Sequence, residues 1–450
     1  MTVAIALFTA DLRTHDNPVL RGALDAADQV IPLFVLDDGV HATGFATPNR
    51  SAFLSGCLAD LDEALRGLGG RLVLRSGDVV AEVCRVAEET GAGEVHIAGD
   101  VSGFAQRREE RLRAELEGAR RELHVHADAL VVVPPGTVAP LGKEHFGVFT
   151  PYFNRWSDAG ARGPLAAPRK ISVPEVESAP LRNGDGKTSP DLPEGGESMA
   201  RRRMNAWLGG PIDRYADLHD DLAGDATSRL SPYLHFGCVS PAELVHRARE
   251  RGGAGADAFV RQVAWRDFHR QMLADRPDAS REDYRPRGDR WRADEDDTAA
   301  WKEGRTGYPL VDAAMRQLHT QGWMHNRGRL ITASFLSKTL YVDWRVGARH
   351  FLDLLVDGDV ANNQLNWQWV AGTGASTRPG QVLNPLIQAK RFDAHGEYVR
   401  RWVPELAEVD GAEVHRPWLL PDDVRRRLDY PEPIVDLTEG LARFRRARGE

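Results

Sequence analysis

Residues 3–9 read VAIALFT, a short apolar run that is repeated in kind four more times in the first 135 residues. The later runs are VIPLFVLDD (30–38), RLVLRSGD (71–78), EVHIAGD (94–100) and LVVVPP (130–135). Helical patterns such as 52–68 and 104–119 separate several of them. This alternation predicts an α/β domain with a Rossmann-like parallel sheet that helices cover on both faces.

The loops at the carboxyl ends of such strands are where a sheet of this kind holds a ligand. The first strand is followed by TADLRTHD (9–16), which contains no GxGxxG motif. The glycine fingerprint of a dinucleotide site is therefore missing at that position. This counts against a nicotinamide oxidoreductase, which the α/β pattern alone would suggest.

The chain changes character twice after the α/β pattern. Residues 136–200 are rich in Pro, Gly and Ser and show little periodicity, which predicts an interdomain linker. From residue 201 onward the sequence reads as helices broken by Gly and Pro turns. We therefore expect an α/β domain over 1–135, a linker over 136–200 and a large all-α domain over 201–450.

The composition is that of a globular protein, with 42% hydrophobic and 28% charged residues. The chain has no apolar run long enough to cross a membrane and no basic N-terminal leader, which predicts a cytoplasmic protein. Its three cysteines, Cys57, Cys84 and Cys238, form no CxxC pair. Together with the lack of paired Cys/His ligands, this predicts that the protein binds no metal.

Charge and tryptophan are unevenly distributed. Residues 1–226 contain 24 Lys and Arg against 34 Asp and Glu, whereas residues 227–450 contain 34 against 32. Nine of the eleven tryptophans follow residue 227. The second half therefore has room for a local basic face, which the net charge of −8 would otherwise hide.

The segment TSRLSPYLHFG (227–237) places Thr227 and Ser228 before a helical pattern, as an N-cap pair would be. Hydroxyls, free backbone N–H groups and Arg229 at a helix start suit a phosphate or pyrophosphate. For the Thr-Ser pair alone, a simple cap is the favoured interpretation.

Two further helical patterns carry candidate ligand-binding residues. Gln262, Trp265 and Arg266 lie within little more than one turn, which suits a flat heteroaromatic ligand, although core packing is the commoner role of such a tryptophan. Asn326 and Arg329 share one face of the helical pattern WMHNRGRLITASF (323–335). Arg329 needs a carboxylate partner there, for which Asp357 and Asp359 are the candidates. We interpret the neighbouring His325 as structural.

The segment GDVANNQLNWQWVAGTG (358–374) combines two tryptophans with five side-chain amides. Serine-hydrolase, zinc-protease and P-loop motifs are absent from the sequence. The chain's own side chains therefore do not supply the difficult step, which points to a bound cofactor.

Taken in order and spacing, these segments resemble the DNA photolyase/cryptochrome family, and within it microbial class I enzymes acting on cyclobutane pyrimidine dimers. The resemblance rests on LFTADLRTHDNPVL (7–20), TSRLSPYLHFG (227–237), WRDF (265–268), TGYPLVDAAMRQL (306–318), WMHNRGR (323–329), DGDVANN (357–363) and WQW (367–369). It implies an α/β antenna domain and a helical domain that binds FAD and DNA, in a monomeric, light-driven lyase that repairs UV-damaged DNA.

The resemblance also assigns residues to the flavin. The implied FAD-binding set is Tyr215, Thr227, Ser228, Arg229, Leu230, Ser231, Gln262, Arg266, Asn326, Arg329, Asp357, Asp359 and Asn363. Within that set, Arg329 would pair with Asp357 beside the isoalloxazine ring, and Asn363 would face its N5 atom. Trp367, Trp344 and Trp291 would carry electrons from the flavin to the surface, although three core tryptophans are the alternative.

Substrate contacts are implied as well. The flipped dimer would meet Trp265, Gln262 and Asn326, and DNA phosphates would meet Arg327 and Arg378. Family members acting on this dimer commonly have glutamate where this chain has Gln262. A cryptochrome-like photoreceptor without repair activity stays open as the alternative function.

The antenna pigment is implied by residues near the strand ends. Arg50, Asp100 and Phe104 resemble the subgroup that binds 8-hydroxy-5-deazaflavin. The Asn-Glu pair typical of folate binders is missing from GDVSGF (99–104). Methenyltetrahydrofolate and no antenna at all remain the alternatives.

Overall fold

The computed structural model describes residues 1–181, 184 and 186–449, which form two compact units. The first unit contains residues 1–188, 193–216 and 228–278, and the second contains residues 189–192, 217–227 and 279–450. Three residues of the predicted linker, Arg182, Asn183 and Asp185, lie outside the described residues. Each unit is made of three separate chain segments, so neither is a single continuous stretch. The predicted domain boundaries at 135 and 200 therefore stay predictions.

The first unit is built on a parallel sheet of five strands in the order β3-β2-β1-β4-β5. Its elements are β1 (Val3–Phe8), α1 (Pro18–Ala26), β2 (Gln29–Asp37), α2 (Asp38–Ala42), α3 (Pro48–Gly67), β3 (Val73–Gly77), α4 (Val79–Thr90), β4 (Glu94–Ala98), α5 (Gly103–Gly118), β5 (Glu122–His126), α6 (Phe149–Ala159), α7 (Glu197–Leu208), the first two residues of α8 (Tyr215–Leu218), α9 (Ser231–His235), α10 (Pro241–Arg251) and α11 (Ala254–Asp275). The predicted α/β class is confirmed.

Alternate residues of each strand point to opposite faces of this sheet. Ile5 and Leu7 of β1 join a core with apolar residues of α4 and α5. Ala6 lies between them and pairs in register with His96 of β4. On that side, Gly22 of α1 lies close to the His96 ring. Helices therefore cover both faces, as predicted.

The fifth strand is not where the sequence predicted it. Residues 130–135 are not a strand, and β5 is instead Glu122–His126. The backbone N–H groups of Val132 and Val133 donate to the Asp267 carboxylate, at 2.9 and 3.1 Å, and not to a neighbouring strand. The true edge strand, ELHVH, was missed because a half-exposed strand carries few apolar residues.

The second unit is helical. Its elements are α12 (Glu295–Glu303), α13 (Pro309–Gln321), α14 (Asn326–Ser334), a π-helix (Phe335–Leu340), α15 (Trp344–Leu354), α16 (Val360–Ala371), α17 (Pro385–Phe392), α18 (Glu397–Trp402), α19 (Asp422–Arg425) and α20 (Leu437–Arg448). Its core contains the fully buried Trp301 and Trp344. Among the described residues no helix is long and apolar enough to cross a membrane.

Gly347 of α15 packs closely against Trp367 in the second unit's core. A Cβ atom at this position would lie 2.2 Å from Cη2 of Trp367 and 2.6 Å from Cδ2 of Leu336. Such separations are shorter than any real carbon contact, so the helix face must lack a side chain here. The glycine thus lets α16 bring its tryptophan against α15.

We predict that Gly347→Ala lowers the free energy of unfolding by about 1–3 kcal/mol, because overpacking outweighs the better helix propensity of alanine. Urea denaturation followed by circular dichroism measures this difference. Gly118→Ala, at the exposed end of α5 where nothing lies within 4 Å, is the matched control and should be neutral or slightly stabilising. Equal effects of both substitutions would contradict the packing argument.

Candidate functional site

Trp265 of α11 already has one aromatic partner. Its ring stacks on Phe149 of α6, with ring centroids 3.8 Å apart and planes 6° from parallel. The guanidinium of Arg261 lies 4.8 Å from the centroid of the Phe149 ring. A base could therefore stack on Trp265 only from the face opposite Phe149. Phe149 and Arg261 were missed because no motif links them to α11.

The two polar candidates beside this tryptophan differ. Gln262 is exposed, whereas Arg266 is half-buried. Arg266 donates to the backbone carbonyl oxygens of Leu130 and, at 3.3 Å, Leu234. In this structure Arg266 thus joins backbone segments of the first unit, and Gln262 is the more accessible of the two to a ligand.

Residues 227–230 precede α9 as irregular backbone and do not form the predicted cap. The N-cap of α9 is Leu230, and no side chain caps the helix. Arg229 adopts a left-handed φ of 50°, which separates Thr227 and Ser228 from the helix start at Ser231. The Ser228 Oγ accepts a hydrogen bond from the Leu230 N–H at 3.3 Å. The N-cap prediction is therefore wrong.

The hydroxyl of Thr227 points to a ligand by a different route. Its Oγ1 is buried and has no hydrogen-bond partner among the residues that the structure describes. A buried polar atom without a partner costs free energy, and such groups usually await a water, ion or ligand. A phosphate oxygen would accept its hydrogen bond.

Tyr215 begins α8 and packs edge-on against two rings of the first unit. Its ring centroid lies 5.6 Å from that of Trp207 and 5.5 Å from that of Phe259. Edge-to-face packing of this kind fixes the orientation of the phenol. The position of Tyr215 is therefore well defined by its neighbours.

The predicted antenna residues have protein partners. Arg50 is buried and its Nε donates to the Phe45 carbonyl oxygen at 2.8 Å. Asp100 forms an ion pair with the buried Arg270. Phe104 is half-buried in the first turn of α5. Arg50 and Asp100 thus already bind partners within the first unit. Of the three predicted antenna residues, Phe104 is the one with an apolar side chain.

Two further charged residues lie near the carboxyl edge of the sheet. Asp37 Oδ2, at the end of β2, and Arg108 Nε, on α5, are buried atoms without a hydrogen-bond partner among the described residues. Burial lowers the pKa of Arg108, and the carboxylates of Asp100 and Asp37 oppose that shift. The sequence could have indicated Asp37, because it ends a predicted strand at the ligand-binding edge.

The predicted ion pair of the second unit is present. Arg329 Nη2 lies 3.1 and 2.8 Å from the two carboxylate oxygens of Asp357. Its Nε donates to the Met324 carbonyl oxygen at 2.8 Å, so the guanidinium is fixed in orientation. Asp359, the other candidate partner, instead caps α16 and accepts from the Asn362 N–H at 2.8 Å.

The residues predicted to contact DNA differ in charge compensation. Arg327 is paired with Asp220, with 3.1 Å between Nε and Oδ1, and its guanidinium lies 4.4 Å from the Phe392 ring centroid. Asn326 and Arg378 are exposed. A phosphate would have to compete with Asp220 for Arg327, whereas Arg378 is directly accessible.

The amides of α16 divide between structural and candidate binding roles. Gln364 and Gln368 donate to the carbonyl oxygens of Ser280 and Ala279, at 2.7 and 2.6 Å. The Asn363 Nδ2 donates to the Ala348 carbonyl oxygen at 3.0 Å, which fixes its orientation. The amide-rich sequence is thus partly explained by backbone anchoring, which spacing alone could not reveal.

The three candidate electron-transfer tryptophans lie in or against one core. Trp367 and Trp344 are buried within it, and Trp291 is half-buried and packs against it. The Trp344 Nε1 donates to Asp283 at 2.8 Å. This change from buried to half-buried agrees with an inside-to-surface order. Trp301, which lies 6.0 Å from Trp367 between ring centroids, was not predicted.

His325 is the N-cap of α14, and its Nδ1 accepts from the Arg327 N–H at 3.1 Å. Burial lowers its pKa to about 4. The ring is therefore neutral near pH 7, and an accepting Nδ1 is incompatible with its protonation. The interpretation of this histidine as structural agrees with the geometry.

We predict that His325→Asn reduces the acid sensitivity of the fold while keeping the cap. A histidine with a depressed folded-state pKa stabilises the protein above the unfolded-state value of about 6.5 and loses that contribution as the pH falls towards 4. The loss amounts to about 2 kcal/mol between pH 7 and 5.

Urea unfolding at pH 7 and pH 5 checks this prediction. The difference in the free energy of unfolding between the two pH values should shrink by about 2 kcal/mol in the variant. His395→Asn, at an exposed histidine of the same unit, should leave the difference unchanged. An unchanged pH dependence in His325→Asn would refute the assignment.

The donors of the candidate site suit an anionic cofactor with a flat ring system. The unpartnered Thr227 hydroxyl can donate to a phosphate, and the Asn363 Oδ1 can accept from a ring N–H, since its Nδ2 already donates to Ala348 and Gln364. The carboxylate of Asp357 is compensated by Arg329 and does not repel an anion. The chemistry of these residues of the second unit therefore suits FAD.

Two protein-family models match the chain. The model described as DNA photolyase matches residues 4–171, and the model described as the FAD binding domain of DNA photolyase matches residues 259–449. The first range contains the parallel sheet, and the second contains most of α11 and all the helices of the second unit from α12 onward.

Curated relatives match over the full length. The chain is 65% identical over 453 residues to a deoxyribodipyrimidine photo-lyase of Streptomyces griseus, with 100% of both chains covered. It is 34% identical to the enzyme of the same name from Escherichia coli, covering 100% of this chain and 99% of the relative.

Solved structures of two relatives share the fold over nearly the whole chain. A class III photolyase from Agrobacterium tumefaciens superposes with a TM-score of 0.90 at 32% identity, covering 100% of this chain and 97% of that one. A cryptochrome from Synechocystis gives a TM-score of 0.90 at 27% identity, with 99% of each chain covered.

Proposed function

The chain belongs to the DNA photolyase/cryptochrome family, and from this we propose that it is a deoxyribodipyrimidine photolyase that uses light to split cyclobutane pyrimidine dimers in DNA. The 65% identity to the Streptomyces griseus photo-lyase along the whole chain carries the proposal. Placement in class I stays a prediction, since a class III structure also matches over the full length.

The proposed cofactor is FAD, which supplies the light absorption and the electron that split the dimer. The residues proposed to hold it are Tyr215, Thr227, Ser228, Arg229, Leu230, Ser231, Gln262, Arg266, Asn326, Arg329, Asp357, Asp359 and Asn363. Among them, the unpaired hydroxyl of Thr227 and the oriented amide of Asn363 give the strongest structural support.

The chain's own residues position and compensate charge. Arg329 and Asp357 neutralise each other, so together they would add no net charge beside a bound flavin ring. The Asn363 amide is neutral and held by the Ala348 carbonyl oxygen, so it can hydrogen-bond without titrating. Such fixed dipoles need no reorganisation when charge moves nearby.

Trp291, Trp344 and Trp367 are proposed to relay electrons inward from the surface. An indole can lose an electron and regain it from a neighbouring indole, so no metal is required. Support comes from their shared core and from the half-buried position of Trp291. On this view the relay restores the reduced enzyme and takes no part in cleavage of the dimer.

Damaged DNA is the proposed partner. A dimer stacks poorly in the duplex and costs less to extrude than an intact base pair. Trp265 would stack on it from the face opposite Phe149, with Gln262 and Asn326 at the base edges. Arg378 would hold a phosphate directly, and Arg327 would do so in exchange for Asp220.

The antenna proposal is 8-hydroxy-5-deazaflavin near Arg50, Asp100 and Phe104, with methenyltetrahydrofolate or no antenna as alternatives. The half-buried Phe104 and the buried, unpaired Asp37 Oδ2 and Arg108 Nε atoms support a ligand at the sheet's carboxyl edge. Mass spectrometry of the pigment released by denaturing the purified protein would identify it.

Repair is tested with purified, photoreduced protein and an oligonucleotide that carries one thymine cyclobutane dimer. We expect recovery of intact thymines under blue light and none in the dark, which chromatography of the digested oligonucleotide measures. Recovery would also show that Gln262 suffices where relatives commonly have glutamate. If light reduces the flavin but no dimer is lost, the cryptochrome-like alternative would be favoured. The match to the Synechocystis cryptochrome structure keeps that alternative open.

The relay is tested by Trp367→Phe. We expect photoreduction of the oxidised protein to fall to the background rate, while chemically reduced protein still repairs the dimer, because the relay serves only reduction. Flavin absorbance under blue light and the oligonucleotide assay give the two readouts. Trp301→Phe, in the same core and in contact with Trp367, is the matched control and should keep both activities. Equal loss in the control would contradict the assigned relay.

A further inference from the structure

A cluster of histidines and glutamates lies on the two strands at one edge of the sheet. In the parallel register of β4 and β5, Glu94 pairs with Glu122 and His96 pairs with His124. Residues two apart on a strand share a face, so all four side chains lie on the same side of this ladder. His126, two residues further along β5, shares that face.

Three ligand atoms of this cluster converge. The Glu94 Oε2 lies 3.4 Å from the His96 Nε2 and 3.2 Å from the His124 Nε2. The two imidazole rings stack with centroids 4.7 Å apart and planes 22° from parallel. All three atoms lie within 4.8 Å of one another, which is a separation that one ion can bridge.

The Nε2 atoms of both histidines, His96 and His124, lack a hydrogen-bond partner among the described residues. Both atoms are buried, although the Glu94 carboxylate is near. The His96 side chain is only 5% exposed. Leaving two buried polar nitrogens unpaired costs free energy. The same two atoms are the ones that face the carboxylate, so one bound group would satisfy both.

His126 provides the outer contact that ligating histidines usually have. Its Nε2 lies 3.0 Å from the His96 Nδ1. If the His96 Nδ1 carries the proton and donates it to His126, the lone pair of the His96 Nε2 is left for a ligand. Gly22 of α1 leaves room for both rings, since a Cβ there would lie 2.6 Å from Cε1 of His126 and 2.9 Å from Nδ1 of His96.

We propose that Glu94, His96 and His124 bind a divalent transition-metal ion, for which two imidazoles and a carboxylate favour Zn²⁺. Tetrahedral zinc with ligand bonds of about 2.1 Å has ligand atoms about 3.4 Å apart. The two Glu94 contacts, at 3.4 and 3.2 Å, match that spacing. Glu122, 3.3 Å from the His124 Nε2, or a water would take the fourth position.

The ion would join the edge strand β5 to β4, which is a structural role separate from the flavin site. Binding to the folded chain alone would stabilise it by mass action. Sequence spacing alone does not suggest this cluster, because its residues stand on two strands, 94–96 and 122–124, outside any compact ligand motif. Only the strand register brings them together.

The test is a zinc titration of the purified flavoprotein against a competing chromophoric chelator, with metal content measured after dialysis. We expect one Zn²⁺ per chain, and Glu94→Gln and His124→Ala should each lower the affinity at least about tenfold. Zn²⁺ should also raise the melting temperature of the parent protein and not that of His124→Ala. His246→Ala is the matched control, because His246 pairs with Glu250 at 3.3 Å on α10 without a third ligand.

Retention of the parent affinity in Glu94→Gln and His124→Ala would overturn the proposal, as would the absence of stoichiometric zinc. An equal loss in His246→Ala would show adventitious surface binding and would also overturn it. Far-UV circular dichroism confirms that each variant is folded. The near-isosteric Glu94→Gln keeps the test decisive if removal of the His124 ring disturbs the strand.

Discussion

The first unit depends on one buried carboxylate. Asp267 of α11 accepts the N–H groups of Val132 and Val133, and its Oδ2 also accepts the Trp156 Nε1 at 2.9 Å. Burial raises the pKa of this carboxyl group, while its hydrogen bonds and Arg266 favour the ionised form. Without it, three buried donors would lose their acceptor. The carboxylate thereby orders the chain after the sheet against α11, the helix that carries two of the predicted substrate-contacting residues, Gln262 and Trp265.

The second unit uses amides where the first uses a carboxylate. Gln364 and Gln368 of α16 hold the backbone at Ser280 and Ala279. A neutral amide can bond a carbonyl oxygen inside a protein without the desolvation cost of a charge. The helix is thus anchored on one side by these glutamines and on another by the close contact between Trp367 and Gly347. This helix carries Trp367, the candidate relay residue, and Asn363, the candidate flavin ligand, so both lie on a firmly anchored element.

The sequence predicted most accurately those features that rest on local pattern. The first four strands are visible as short apolar runs in the sequence, because helices cover both faces of the sheet and both sets of side chains are buried. The true fifth strand, ELHVH, carries histidines on one face, and the apolar run 130–135 is buried through Asp267 and not through strand pairing. The N-cap at Thr227 and Ser228 was wrong because a left-handed Arg229 intervenes, a backbone choice that residue type does not reveal.

Candidate site residues fall into the same two groups. The Arg329–Asp357 pair was predictable because an arginine on that helix face needs an anion, and the Asp357/Asp359 carboxylates were its candidate partners. Partners from distant segments were not: Asp220 for Arg327, Phe149 for Trp265 and Arg270 for Asp100 each follow from tertiary packing. These partners change the chemistry, since a compensated arginine releases fewer counterions on meeting a phosphate than a free one. If the chain binds DNA as proposed, its affinity would then depend more on exposed cations and on shape than the count of arginines in the second half would indicate.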